Sequence, residues 1–312
     1  MMFKHNTRRV RVGVIVATVA GVLVVAASAL AALTQVPVLT GVPDQITPAA
    51  AGTTLSWSRN GPSDTGPYNE YVRVGSGPIL KVNGTGTQGY GGGVSGTTLA
   101  YQRVARGQSD IRFYDTTAHT YSPPPAGWNT AAWEWSPTIS GNLVLFGRGS
   151  GSGTTFTEKA YLGDRTTGAL TVLASRTGRH AQVVPGQVNG DYAVWMQCQD
   201  YRVACNVYLY DIAAKTTTRI ANTFATGTQQ YDPSVTTTGT VYFAHSGNGC
   251  GNGVTLVKQP LGGSDTVLVT FKTGFDLTST YTDDTSGTPT VYFSKTSCGG
   301  GGNHDDVYKV VD

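Results

Sequence analysis

The amino-acid sequence predicts an all-β protein: a six-bladed β-propeller of four-stranded antiparallel blades, preceded by an N-terminal signal or anchor helix. A turn glycine followed by a short apolar and aromatic run recurs at spacings of 44, 45, 49, 49 and 48 residues. Glycine is frequent, with 41 residues, and only 13% of residues are charged, which suits short strands and tight turns. Repeats of this length indicate stacked sheets, because one unit alone cannot bury its apolar face. The repeated glycines are Gly52, Gly96, Gly141, Gly190, Gly239 and Gly287.

The first 35 residues differ from the rest of the chain. Four basic residues precede an apolar run from Val12 to Leu33, which ends among small residues near Ala29. This order is typical of an export signal, but a run of about 22 residues is also long enough to cross a bilayer uncleaved. Both alternatives place the remainder outside the cytoplasm, either secreted or membrane-anchored. We therefore expect a signal peptide or transmembrane anchor at residues 1–35 and a propeller domain at residues 36–312.

The charge of the exported part argues against a nucleic-acid partner. The chain has 22 basic and 19 acidic residues, and four of the basic ones lie in the N-terminal segment. The remainder therefore carries 18 basic and 19 acidic groups, a formal charge of −1, with no basic stripe to neutralise phosphates.

Each repeat divides into four strands. In the fourth unit an innermost strand ends before Gly190, and further strands are predicted from Tyr192 to Met196, from Asn206 to Tyr210 and from Thr216 to Ile220. The third and fifth units divide in the same way, and apolar residues alternate along each run, as in strands buried between sheets.

The sixth unit lacks a fourth strand of its own, because its third strand, from Val307 to Val310, is followed only by Val311 and Asp312. The segment from Val36 to Leu39 is the natural candidate for the missing outermost strand. Such a closure joins the two ends of the propeller and removes an exposed sheet edge.

The repeat text resembles the TolB-type (PD40) propeller repeat. The resemblance lies in Asp232-Pro-Ser-Val235-Thr-Thr-Thr-Gly239-Thr-Val-Tyr-Phe243 and in Ser136-Pro-Thr-Ile139-Ser-Gly141-Asn-Leu-Val-Leu-Phe146, and it spans about residues 43 to 312. The family implies a six-bladed propeller outside the cytoplasm that binds partners, with no shared chemistry.

A polar residue precedes each innermost strand at an equivalent position. Six such positions form a ring, which we expect at the mouth of the central channel. The ring either binds a peptide terminus, a sugar or a hydrated cation, or only caps the strands where channel water meets the sheet. TolB-type repeats often carry an acidic or amide residue there. The six residues are Gln45, Gln88, Glu134, Gln182, Gln230 and Asp276.

Other polar and aromatic residues are candidates for the same loop-rich face. His180, His245 and His304 are either a transition-metal site or solvated loop histidines. Trp128 follows a run of three prolines, and an exposed tryptophan there suits sugar stacking or a protein contact. The pairs Asp283-Asp284 and Asp305-Asp306 either bind Ca²⁺ or cap turns. No cofactor is predicted, and a Ca²⁺ or transition-metal ion stays open.

Four cysteines in an exported chain argue for two disulfides. Cys198 and Cys205 flank one loop of the fourth unit, so we expect a local bridge. Cys250 and Cys298 each lie 11 residues after their turn glycine, in equivalent loops of neighbouring blades, and we expect a second bridge between them.

Two functions with a specific ligand are compatible with these residues, beside a purely structural envelope protein that binds none. The first, which we favour, is a monomeric scaffold that binds a protein, peptide or glycan of the cell envelope through its loop-rich channel face. The second is a metal-dependent hydrolase or lyase with its centre at the channel mouth, which some TolB-like sugar lyases build from several histidines. It requires a metal and an acid of perturbed pKa, neither of which a sequence displays.

Overall fold

A computed structural model describes residues 33–41, 43–61, 66–180, 182–200, 204–221, 228–246, 253–298 and 305–312. These residues form six four-stranded antiparallel sheets, the blades of the predicted propeller. Within the described part of the chain there is no α-helix, only a single 3₁₀ turn at Gly153–Thr155.

The strands follow each other from the innermost to the outermost position in each blade. Blade 1 contains β2 (Gln45–Ala51), β3 (Thr54–Arg59), β4 (Asn69–Val74) and β5 (Leu80–Lys81). Blade 2 contains β6 (Gln88–Ser95), β7 (Thr98–Ala105), β8 (Gln108–Asp115) and β9 (Thr120–Ser122). Blade 3 contains β10 (Trp133–Ser140), β11 (Leu143–Ser150), β12 (Thr157–Asp164) and β13 (Leu170–Thr177).

The second half of the ring repeats this order. Blade 4 contains β14 (Gln182–Asn189), β15 (Tyr192–Cys198), β16 (Asn206–Asp211) and β17 (Thr216–Arg219). Blade 5 contains β18 (Gln229–Val235), β19 (Val241–Ser246), β20 (Thr255–Gln259) and β21 (Thr266–Thr270). Blade 6 contains β22 (Phe275–Asp283), β23 (Thr290–Ser297), β24 (Asp305–Val311) and, as its outermost strand, β1 (Val36–Leu39).

The predicted ring closure is confirmed. Strand β1 pairs antiparallel with β24, and Val36 lies opposite Lys309 in the ladder. Val38 and Leu39 also pack against the apolar cluster around Trp57 in blade 1. The strand therefore covers the open edge of the last blade and fastens it to the first.

The repeated glycines occupy the tight turns between the first and second strands. All six have φ between 55° and 84°, the left-handed region that other residues adopt at a cost. This backbone requirement explains why the glycine, rather than any side chain, is the clearest sign of the repeat.

Large aromatic side chains fill the space between the blades. Each second strand contributes one that is at most 1% exposed, and burial of such a side chain stabilises the fold by about 1.5–3 kcal/mol. These residues are Trp57, Tyr101, Phe146, Trp195, Phe243 and Phe293.

The predicted local disulfide is present: Cys198 and Cys205 are bridged, and both are buried. Cys298 is also disulfide-bonded, while Cys250 lies outside the described residues. Within the described chain no cysteine is free.

The predicted signal or anchor helix lies outside the described residues. Among the residues that are described, no helix is long and apolar enough to span a membrane. We call the side on which the innermost strands begin the loop face, and the side that carries the six glycine turns the turn face.

Candidate functional site

The innermost strands share an irregularity that shapes the channel. In each of them the pairing with the second strand slips by one residue, which makes a β-bulge. Bulges redirect side chains and are frequent next to binding sites. Four bulge residues also have a left-handed backbone, a strain of about 1–3 kcal/mol each. They are Thr47, Ser136, Asp232 and Ser279, with φ of 52°, 47°, 48° and 57°.

Glycine occupies the corresponding region of the other two blades. A Cβ atom on Gly186 of blade 4 would lie 2.2 Å from the carbonyl oxygen of Pro233 in blade 5. One on Gly91 of blade 2 would lie 2.5 Å from the side chain of Thr47. The innermost strands thus approach each other too closely for any side chain at these points.

The bulges surround a central cavity of about 270 Å³. Its wall combines prolines and glycines with hydroxyl groups, and it contains a single acidic residue, Asp232. The lining residues that contribute polar side chains are Thr47, Tyr90, Gln102, Ser136, Thr138, Asp232, Ser279, Thr280 and Tyr281. Such a wall offers several hydrogen-bonding groups and one carboxyl group to a ligand.

Tyr281 closes this cavity towards the turn face. Its ring lines both the central cavity and a small pocket of about 90 Å³ on the turn side. Its hydroxyl donates to the carbonyl oxygen of Val94 in blade 2 at 3.2 Å and lies 3.3 Å from the Val94 amide. Gln187 of blade 4 makes a second bridge, because its side chain donates to the carbonyl oxygen of Thr282 at 2.7 Å. The cavity is therefore a blind pit.

The structure places the predicted polar ring beside the pit. All six residues are described, and they lie at or next to the start of the innermost strands, as expected. None of the six is among the residues that line the pit. Gln45, Glu134, Gln230 and Asp276 are buried. Whether the ring takes part in binding stays a prediction.

The hydrogen bonds of the ring residues join neighbouring blades. Gln230 of blade 5 accepts from the Val207 amide of blade 4 at 3.1 Å and donates to the carbonyl oxygen of Ala221. Asp276 of blade 6 accepts from the hydroxyl of Tyr231 in blade 5 at 2.8 Å. Gln88 instead accepts from Tyr90 of its own strand.

Glu134 is one of the two acids of the ring, with Asp276, and it forms an ion pair with Arg148. Arg148 Nε donates to Glu134 Oε1 at 2.8 Å, and Thr130 Oγ1 donates to the same oxygen at 2.8 Å. Burial raises the pKa of Glu134, while Thr130 and Arg148 act to lower it. Arg148 also donates to the carbonyl oxygen of Trp128 at 2.6 Å. The pair fastens the link between blades 2 and 3.

The expectation of an exposed Trp128 is wrong. Its side chain is 0% exposed, stacks on Phe146 at 5.7 Å and donates from Nε1 to the carbonyl oxygen of Gly168 at 3.0 Å. The indole ring packs directly on the backbone of Gly163, where a Cβ atom would lie 2.4 Å from it. The exposed tryptophan of this region is Trp133, at 55%.

The described histidines do not form a metal site. His180 pairs with Asp200 at 3.2 Å on the surface, whereas His245 is buried and burial lowers its pKa. His304 lies outside the described residues. Across the described ranges, no three His, Cys, Asp or Glu side chains come together as metal ligands.

The aspartate pairs bind backbone groups and side chains of other blades. Asp283 accepts from the Gly52 amide of blade 1 at 3.0 Å, and Asp284 accepts from the Thr237 amide at 2.7 Å. Asp306 accepts from the Gly41 amide at 2.8 Å beside the closing strand. These contacts agree with the capping alternative.

A buried acid next to the pit is absent from the sequence-based prediction. Glu70 on β4 is 0% exposed, and Ser58 Oγ donates to its Oε2 at 2.9 Å. Ser58 Oγ is in turn 2.8 Å from Oγ1 of Thr47, which lines the pit. Burial raises the pKa of Glu70 to about 8, against the lowering effect of Ser58. The only signal in the sequence is a glutamate at an inward-facing strand position.

No model of a known protein family and no curated protein matches the chain. Solved structures do match. The structure of putative TolB from Agrobacterium tumefaciens has a TM-score of 0.53 at 15% identity, over 86% of this chain and 91% of that chain. The fold is that of a TolB-like propeller.

Two other solved structures with the same fold are of a lyase and of a protease's propeller domain. Oligogalacturonate lyase in complex with manganese has a TM-score of 0.52 at 11% identity, over 90% of this chain and 98% of that chain. The propeller domain of the Trilobed protease from Pyrococcus furiosus, with an open velcro topology, has a TM-score of 0.52 at 11% identity, over 86% and 95%. The chain spans 60% of TolB from Acinetobacter baumannii. At these identities the likeness concerns the fold alone.

Proposed function

We propose that the protein is an extracytoplasmic binding scaffold that recognises a protein, peptide or glycan of the cell envelope through its loop face. The blind pit carries this proposal. Because Tyr281 closes the turn side, the pit is accessible only as a pocket and not as a pore. A volume of about 270 Å³ lies just below the usual range of ligand pockets, so it suits an end group of a larger partner.

The chemistry of the pit suggests what that end group is. Asp232 supplies one carboxylate, and Ser136 and Ser279 are hydroxyl-bearing neighbours on the same wall. A carboxylate among hydroxyls favours a protonated amine, such as a peptide N-terminus or a lysine side chain. The strained backbone at Asp232 supports a functional role for this wall, because strain of this kind is concentrated at functional sites.

The location outside the cytoplasm rests on two features. The basic and apolar order of residues 1–35 is that of a signal or anchor. The Cys198–Cys205 bridge is of a kind that persists in oxidising compartments. The resemblance of the repeats to the TolB type implies the same location.

The alternative function is a metal-dependent hydrolase or lyase, and the similarity in fold to the manganese-bound lyase supports it. The described residues do not supply its ligands, since His180 is paired with Asp200 and His245 is buried. The enzyme alternative is therefore left as an outcome of the test.

A thermal-shift panel on the full chain in mild detergent, with disulfides intact, tests both functions. The probes are short peptides with free or acetylated N-termini, neutral oligosaccharides, Mn²⁺, Ca²⁺ and EDTA. A ligand at a hundredfold excess over its dissociation constant adds about 2.7 kcal/mol of stability, which raises the melting temperature by several degrees. We expect peptides with a free N-terminal amine to raise the melting temperature. Asp232→Asn is expected to abolish this rise, and the control Asp191→Asn, at an exposed acid, is expected to retain it. A rise specific to Mn²⁺ and reversed by EDTA would favour the enzyme, and a panel without any rise would contradict the scaffold.

A further inference from the structure

A groove on the loop face of blade 3 is separate from the pit. Trp133 and Trp135 lie two residues apart at the start of β10, so their side chains are on the same side of the sheet. They are opposite Gly149 and Gly147 of β11, respectively. Together with Phe156 and Glu158 they line a cavity of about 770 Å³. Trp133 is 55% exposed, and it is the only tryptophan among the exposed large apolar residues of the described chain.

The two glycines make room for the aromatic rings. A Cβ on Gly147 would lie 2.4 Å from ring atoms of Trp135. A Cβ on Gly149 would lie 2.8 Å from both Trp135 and Phe156. Trp135 and Phe156 are therefore packed directly on the strand backbone. Rings fixed in this way lose little conformational entropy when a ligand stacks on them.

A fixed carboxylate completes the groove. Oε2 of Glu158 accepts from the Val183 amide of blade 4 at 2.7 Å, so the side chain is held across the boundary between blades 3 and 4. The groove thus places a hydrogen-bond acceptor beside a row of aromatic surfaces. On the opposite side of the same strands, Glu134 and Arg148 are committed to the link with blade 2.

This combination favours one class of ligand. The C–H faces of a pyranose ring stack on aromatic rings, and its hydroxyl groups donate to a carboxylate. A proline-rich peptide also binds aromatic grooves, but proline has no N–H to donate to Glu158. An acidic glycan would meet the Glu158 carboxylate with like charge. Two tryptophans spaced two residues along a strand, roughly 7 Å apart, provide stacking surface for one or two sugar rings.

We infer that this groove binds a neutral glycan, with sugar rings stacked on Trp133 and Trp135 and a sugar hydroxyl donating to Glu158. The inference rests on the proposed function, since it names a ligand class for the loop face of a binding scaffold. It assigns that ligand to blades 3 and 4 and not to the pit.

Calorimetric titration of the full chain with defined probes tests the inference. The probes are the tetramers of N-acetylglucosamine and of glucose, a galacturonate trimer and a proline-rich decapeptide. We expect binding of at least one neutral tetramer and a loss of tenfold or more in affinity with Trp133→Ala. Glu158→Gln is expected to weaken binding severalfold. Tyr121→Ala, at an aromatic residue of blade 2 that is 56% exposed, serves as the matched control and is expected to bind normally.

A second variant tests the role of the glycine floor. Gly149→Ala is expected to displace Trp135 and Phe156, since the added Cβ would lie 2.8 Å from both rings, and to weaken glycan binding as Trp133→Ala does. Circular dichroism and melting temperature check that each variant is folded.

Three results would overturn the inference: no neutral tetramer binds, Trp133→Ala binds as tightly as the parent, or the decapeptide binds in preference to sugars. The rise in melting temperature with free-amine peptides, which reports binding in the pit, is a separate readout. If that rise persists while no sugar binds, the glycan groove is refuted and the scaffold stands. If both are absent, both proposals fail.

Discussion

The hydroxyl of Tyr281 in blade 6 donates to the carbonyl oxygen of Val94 in blade 2 at 3.2 Å, across the channel and past blade 1. This bond converts a channel into a pit with one entrance. It also ties together two blades that are not neighbours in the ring.

Removal of this bond is expected to loosen the ring without unfolding it. Tyr281→Phe keeps the buried ring and leaves Val94 groups unsatisfied, so we expect the free energy of unfolding to fall by about 1–3 kcal/mol. Urea unfolding followed by tryptophan fluorescence measures the change. Tyr210→Phe, at a half-buried tyrosine, is the control, and an equal loss in both variants would show that the bridge has no special role.

Glu70 is expected to make stability depend on pH. Its pKa of about 8 in the folded protein exceeds the ordinary value of 4.5, so the folded state binds more protons between these values. Stability therefore falls as pH rises from about 4.5 to 8, by at most about 1.4 kcal/mol per pH unit, and levels off above the folded pKa.

The matched variant for this effect is Glu70→Gln, which keeps an acceptor for Ser58 and cannot ionise. We expect it to lose this contribution to the pH slope and to exceed the parent in stability at pH 8. Urea titrations at pH 5, 6, 7 and 8 measure both slopes, with Asp191→Asn as the control. Parallel slopes in parent and Glu70→Gln would refute the assignment.

The ion pair between Glu134 and Arg148 provides a third prediction. Arg148→Met leaves the buried Glu134 carboxylate without its partner and removes the bond to the Trp128 carbonyl. We expect the free energy of unfolding to fall by about 3 kcal/mol. This is the low end of the range for a broken buried ion pair, because the Arg148 side chain is 15% exposed.

Glu134→Gln in the Arg148→Met background is expected to recover part of that loss. A double-mutant cycle by chemical denaturation gives the coupling energy. Additive losses would mean that the two side chains act independently, contrary to the contact at 2.8 Å.

The disulfide between Cys198 and Cys205 is expected to contribute modestly. Closing so short a loop stabilises the folded state by about 2.5 kcal/mol in the chain-entropy description. The double variant Cys198→Ala with Cys205→Ala is expected to lose about that amount and to remain folded. The melting temperature with and without reductant measures this loss. An unchanged melting temperature in the double variant would mean that packing alone, and not the disulfide, stabilises the loop.

The repeat could be predicted from the sequence because its signals are local. A glycine with left-handed φ, as at Gly141, is required by the turn itself and recurs with every blade. Apolar alternation located the strands, and the missing strand of blade 6 identified Val36–Leu39 as its partner. The Cys198–Cys205 bridge followed from the position of one loop.

The site could not be predicted in the same way. Trp128, in the link from blade 2, and Trp133, at the start of β10, are five residues apart, yet one is in the core and the other is exposed. In the sequence Glu70 looks like an ordinary strand residue. Only the folded structure shows that Ser58 and Thr47 connect it to the pit.

By itself, the sequence determined the number of blades, the strand order and the closure of the ring, because turns and alternation depend on neighbours along the chain. Only the tertiary structure decided which polar residues face the channel. A bulge of one residue reverses the direction of every side chain beyond it. Asp232, within the bulge of β18, therefore lines the pit, whereas Gln230, two residues before it, lies at the blade interface. The position of the bulge depends on packing between blades, and the periodicity of the sequence does not predict it.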